Sequence, residues 1–196
     1  MTVIIGGSGT ANGITSFSSP ATFGGTLATA SRGISSASVP AGSIIQVQQT
    51  VKTDTWSTSS GSWSDITGLG VTITPTLATS KILIRCSVTM GTPGAGNISG
   101  CRLTRNGSTF IIGDANGSEN RASWAFFANA DANQAVGSSF SYLDSPATTS
   151  ALTYQIQTGQ LNTTISSTVY VNRHSNVGNA YNLRSVSSII VMEIAQ

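Results

Sequence analysis

The sequence predicts an all-β fold, an antiparallel β-sandwich or jelly roll carried behind an extended N-terminal arm. Three observations predict it. From Gly42 onward, short runs with β-branched and apolar residues at alternate positions recur between turn residues, as strands of a sandwich do at intervals of roughly ten residues. No long segment keeps a helical period with both a cap and a stop. Residues 6–34, "GGSGTANGITSFSSPATFGGTLATASRGI", hold seven glycines and no lasting strand pattern.

The arm is assigned to residues 1–39 and the β domain to residues 40–196, with Pro40 of "VPAGS" as punctuation. A stretch so rich in glycine cannot offset its ordering entropy with its own contacts. Yet it is no solubilising tail, because it carries Ile14, Phe17, Phe23, Leu27 and Ile34 and, in 6–34, only Arg32 as charge. These apolar residues are spaced too irregularly for one helix or strand to gather them on a face. The arm is therefore expected to lie extended on another surface, with Phe17, Phe23, Leu27 and Ile34 as its anchors.

The strands follow in order. "IIQVQQTV" (44–51) mixes β-branched and polar residues, and "VTIT" (71–74) alternates until Pro75 stops it. "KILIRCSVTM" (81–90) alternates most clearly, with Ile82, Ile84, Cys86, Val88 and Met90 on one side and Lys81, Leu83, Arg85, Ser87 and Thr89 on the other. "CRLTRNGSTFII" (101–112) holds Asn106-Gly107 between two strand-like runs, a strong hairpin signal. "ASWAFFA" (122–128), "AVGSSFSYL" (135–143), "LTYQIQT" (152–158) and "STVYVN" (167–172) come next. "SVSSIIVMEI" (185–194) is the last, with Ile190 and Met192 expected to face the core.

Charge narrows the function. Only 8% of residues are charged and the net charge is +2, so a free monomer repels its copies weakly. The nine basic residues are scattered, which argues against nucleic acid as a partner. The N-terminus has no basic region before an apolar run, and the apolar run near Ile189–Ala195 is short and interrupted by Glu193, which argues against membrane insertion. Strands with so little charge must protect their edges, and subunit packing about a threefold axis is one solution.

Candidate chemistry is sparse. His174 is the single histidine and lies outside any nucleophile-elbow motif, so it reads as a loop or strand-end residue. The seven acids, Asp54, Asp65, Asp114, Glu119, Asp131, Asp144 and Glu193, stand singly and are read as turn or solvated residues rather than a glycosidase pair. "GDANGSEN" (113–120) has acidic and amide residues at alternate positions, but its glycine is misplaced for a calcium loop, so it reads as a polar hairpin tip. Were 81–90 and 101–105 to form a hairpin, Cys86 and Cys101 would stand four positions out of register, and both are read as buried free thiols. No catalytic residue, metal site or cofactor is expected. Trp56, Trp63 and Trp124 read as packing residues at subunit or domain edges, with surface recognition of sugars by stacking as the alternative.

The stretches "PAGSIIQVQQ" (40–49), "ITPTLATSKILI" (73–84), "RLTRNGST" (102–109), "SYLDSPATTSALTYQIQ" (141–157), "TVYVNR" (168–173) and "SSIIVMEI" (187–194) carry a resemblance. They are similar to a group of small fibre-like or decoration-type virion proteins of tailed bacteriophages, found especially in phages of marine bacteria and cyanobacteria. "GITSFSSPATFGGTLATASRGI" in the arm is similar as well. The resemblance implies a jelly-roll-like β domain, usually a homotrimer, on the exterior of the phage particle. Its N-terminal region would attach it to other virion proteins of the capsid, neck or tail. Two functions are then expected: a non-enzymatic fibre or capsid decoration protein, or a host-attachment module that binds surface glycans.

Overall fold

The computed structural model describes residues 39–91, 98–127, 134–161, 168–178, 180 and 182–196. The arm, with Phe17, Phe23, Leu27 and Ile34, lies outside the described residues. Eleven strands run through the described residues: β1 (Ile44–Lys52), β2 (Trp56–Thr58), β3 (Ser64–Ile73), β4 (Lys81–Gly91), β5 (Ile98–Arg105), β6 (Ser108–Ile111), β7 (Trp124–Phe127), β8 (Ala135–Asp144), β9 (Leu152–Gln160), β10 (Val169–Val171) and β11 (Ser187–Ile194). Among these residues no helix is long and apolar enough to cross a membrane.

Two antiparallel sheets result. The first runs β1-β11-β4-β8, and short β10 and β2 continue it beside the end of β4, where Tyr170 and Val171 pair with Gly91 and Met90. The second runs β3-β9-β5, with β6 and β7 sharing the far side of β5. The pairing is nested: β1 with β11, β3 with β9, β4 with β8, and β5 with β6 and β7. Early strands meet late ones, as in a long hairpin rolled so that successive strand pairs alternate between sheets. That is the jelly-roll topology.

Local chemistry explains the elements. β4 buries Ile82, Ile84, Cys86, Val88 and Met90 and turns Arg85 and Ser87 out, the alternation read from sequence. At the β5–β6 turn, Asn106 and Gly107 have φ of 51° and 80°, both left-handed, which matches the twist of a two-residue hairpin. β3 begins seven residues before the run read from sequence, because a bulge hides its period. Asp65 pairs with Gln157 and Gly70 with Gln155, so four residues of β3 face one of β9. Gly68, at φ 80°, lets both Ile66 and Leu69 point into the core. The Gln155 side chain donates to the displaced Ile66 carbonyl at 2.9 Å.

The core lies between the sheets and includes Tyr154, Ile156 and Leu103 from the second, and Ile84, Val88, Ile189 and Val191 from the first. β11 corrects one expectation. Ile189 and Val191 face inward, while Ile190 and Met192 are half-buried on the outer face. "IIVM" is apolar in both phases, so period two cannot choose between them. Glu193 shares the inward phase of Ile189 and Val191, and from there its carboxylate meets Thr76 and Gln46. A second correction concerns the cysteines. β4 and β5 form no hairpin, since they belong to different sheets. Cys101 Sγ nevertheless lies 3.8 Å from Met90 Sδ across the sandwich, and both thiols are free and buried. Burial pushes the Cys86 thiol up to about 12.

Candidate functional site

Two of the acids expected in turns are buried instead. One inner row of the first sheet reads Gln46, Glu193, Ile82, Asp144 across four strands. Both Asp144 oxygens accept from Arg105 Nη1, Oδ1 at 2.9 Å and Oδ2 at 2.7 Å, and Oδ2 also accepts from the Tyr154 hydroxyl at 2.7 Å. Burial, and then the hydrogen bond to this carboxylate, hold the Tyr154 phenol well above its usual range. Glu193 is fully buried and accepts Thr76 N–H and O–H, each at 2.8 Å, and Gln46 Nε2 at 2.6 Å. Burial works to raise its pKa, but the hydrogen bonds from Gln46 and Thr76 outweigh that and hold it below the ordinary carboxylate value. Each carboxylate holds chain to chain: Glu193 ties the β3–β4 connection to β11, and Asp144 ties β8 to β5 and β9.

The remaining described acids are shared among local partners. Lys52 Nζ donates to both oxygens of Asp54 at 2.9 Å. Gln157 Nε2 donates to Asp65 at 2.8 Å, and Asn116 Nδ2 to Glu119 at 2.9 Å across the turn at 116–119. Asp114 is exposed, and Asp131 lies outside the described residues.

The three tryptophans occupy three different settings, and all are half-buried. Trp56, in β2, packs against the edge of the core. Trp63 lies on the outer face of the second sheet above Gly100, with the Arg102 guanidinium 4.0 Å from its ring. Trp124 joins the sheets: its ring stacks on Phe140 of β8 at 5.2 Å and its Nε1 donates to Ser138 at 3.1 Å. The fold does not gather them into one aromatic platform.

His174 is buried and accepts the Leu183 N–H at Nε2, 3.3 Å away. Its neighbour Asn172 is a joint that sequence reading passed over. In left-handed backbone at φ 62°, it donates to the carbonyls of Lys52 and Asp54 at 2.8 and 2.9 Å and accepts Ser187 Oγ–H at 2.6 Å. It thereby joins the β1–β2 corner to β11.

The outer faces of the sheets differ. On the second, polar groups bond to one another: Thr72 to Thr153 at 2.9 Å, Gln157 to Asp65, and Arg102 to the Arg121 carbonyl at 2.7 Å. On the first, the row Val47, Met192, Leu83, Leu143 runs across β1, β11, β4 and β8. Val47 is 50% exposed and Leu143 44%. The next rows read Gln49, Ile190, Arg85, Ser141 and Val51, Ser188, Ser87, Ser139. Around Arg85 the small serines leave a depression of about 310 Å³, lined also by Ile190. Lys81 and Arg85 are the charges of β4 on this face, no acid stands in these rows, and Arg85 has no ion pair among the described residues. This face is the candidate functional surface. Sequence reading placed Leu83 on the polar side of its strand and Met192 in the core. The unbroken apolar run of β11 was the available signal, since such runs belong to strands covered on both faces.

No family model and no curated protein matches the chain. Among solved structures, a chain in the structure of infectious bursal disease virus Gx strain is similar at 17% identity and a TM-score of 0.33. A chain in the Gt strain structure is similar at 16% identity and 0.31. Each likeness covers 77% of this chain and 37% of the viral one, so the protein spans little more than a third of the chains it matches. Likeness at these scores carries no argument about function.

Proposed function

We propose that the protein is a non-enzymatic structural protein of a bacteriophage virion, a trimeric fibre or capsid decoration protein on the particle exterior. The observation that carries this reading is the division of the jelly roll's surface. One outer face satisfies its polar groups internally, and the other presents a continuous apolar row flanked by serines. An enzyme site gathers free titratable groups in a cleft. Here Asp144 and Glu193 are committed to holding loops and strands together. The stretches of 40–194 that resemble phage virion proteins support placement on a particle. The arm supplies the attachment, with Phe17, Phe23, Leu27 and Ile34 seated on neighbouring capsid, neck or tail proteins and its glycines letting backbone pass close to them.

The test is imaging of purified particles whose copy of the protein carries a tag after Gln196. Tag-directed gold at fixed positions on the particle is expected. Unlabelled particles from cells that make the tagged protein would overturn the reading. Deletion of residues 2–38 should abolish labelling while leaving a folded body.

A further inference from the structure

We propose that the outer face of the first sheet is the surface on which one copy of this chain packs against the next. The inference rests on the self-assembly in the reading above and names the surface responsible.

The geometry supports a protein partner of this size. Four strands about 4.8 Å apart and some eight residues rising about 3.3 Å each make a footprint on the order of 500 Å². That is more than half of the ~800 Å² that each partner buries in a standard interface. The row Val47, Met192, Leu83, Leu143 crosses its full width, with Ile190 and Val51 beside it. An apolar row of this extent on a chain with a net charge of only +2 has little to keep copies apart.

The charges also choose the kind of contact. A twofold axis through the face would bring Arg85 toward the partner's Arg85, with no acid among the described residues of the face to separate them. Like charges without partners in a drying interface are costly. A rotational arrangement, in which this face meets a different surface of the next copy, avoids that pairing, and a threefold rotation closes it as a ring. The serine-lined depression beside Ile190 then receives a side chain of that neighbour.

Val47→Lys and Leu143→Lys test the proposal in the full chain, because both side chains are already about half exposed and tolerate a charge in the monomer. Thr153→Lys, on the outer face of the second sheet, is the control. Sedimentation velocity is run up to about 100 µM, where a micromolar interface is nearly saturated. The expected result is an oligomeric parent and control, and variants whose apparent dissociation constant rises ~100-fold with unchanged circular dichroism. If the parent is oligomeric and both face variants remain so, the assignment of this face is overturned and the virion reading stands. A parent that stays monomeric while its face variants fail to enter particles shows that another virion protein covers the face, which also overturns the proposal. Particles lacking the parent protein altogether would instead sink the virion reading.

Discussion

On the second sheet Thr72 and Thr153 face outward and bond to each other, Gln157 reaches Asp65, and Arg102 lies over Trp63. On the first, the corresponding outward positions are Val47, Met192, Leu83 and Leu143. Both sheets share one core and one rolled topology, so neither stability nor topology demands this difference. A polar outer face is the ordinary state of an antiparallel sheet with one side in water. An apolar one leaves hydrophobic area uncovered, and that cost is removed only when something packs on it. The second face shows what an antiparallel sheet needs in water, and the first carries apolar area beyond that need.

The largest expected effect tests which side of β4 is which. Ile84→Ala should lower stability by about 2–5 kcal/mol in denaturant unfolding, since the side chain is fully buried. Leu83→Ala, one residue away, should cost clearly less, about 1 kcal/mol, in a body kept monomeric by Val47→Lys, because the side chain is only partly buried. Equal costs would mean that Leu83 belongs to the core and that the apolar outer row is wrongly drawn.

Glu193 lies on the inward phase of β11, and its removal should be the next largest effect. Glu193→Gln is expected to cost about 1–3 kcal/mol at neutral pH by turning an acceptor toward donors into a mixed group. The parent's pH dependence has a definite sign. The folded-state pKa lies below the ordinary 4.5, so the contribution is complete above that value and fades as pH falls through the folded pKa. Unfolding midpoints between pH 7 and pH 3 should therefore fall less steeply for the variant than for the parent. Parallel slopes would remove Glu193 from the acid response.

A smaller effect belongs to the second sheet. Trp63→Ala should cost about 1–2 kcal/mol through lost ring contact and the lost Arg102 stack, and leave the sedimentation coefficient of the assembly unchanged. A change in oligomeric state would give the second face a part in assembly and erase the contrast. The smallest effect is at Thr72. Thr72→Ala should cost ~0.5 kcal/mol or less by thermal melting, the size of a single solvated hydroxyl bond. A loss several times larger would show that this polar face is also covered.

Much of the fold was legible because period two needs only a string. β4 reads directly, and Asn106-Gly107 marks its hairpin without help from the rest of the chain. The bulged half of β3 was not legible, because extra residues at 66–69 break alternation while both Ile66 and Leu69 remain buried. The candidate surface was half legible. Leu83 fell on the polar side of the β4 alternation and Leu143 drew no assignment, and only strand order aligns them with Met192 and Val47. Asp144 and Glu193 were misplaced because an isolated acid in sequence gives no hint of a distant Arg105 or Thr76.

By itself the sequence determined an all-β chain, the position of most strands, the inward face of β4 and a low, nearly balanced charge. These depend on neighbours one to four residues apart, where alternation, turn propensity and composition act. Only the tertiary structure decided which strands pair, which acids are buried, which phase of "IIVM" turns outward and where four apolar residues from four strands form one row. Those outcomes depend on contacts across the chain, such as Gln46 and Thr76 with Glu193 or Arg105 with Asp144, between residues 147, 117 and 39 positions apart. Local pattern cannot encode which distant donor a buried carboxylate will find, because that is settled by the free energy of the packed whole.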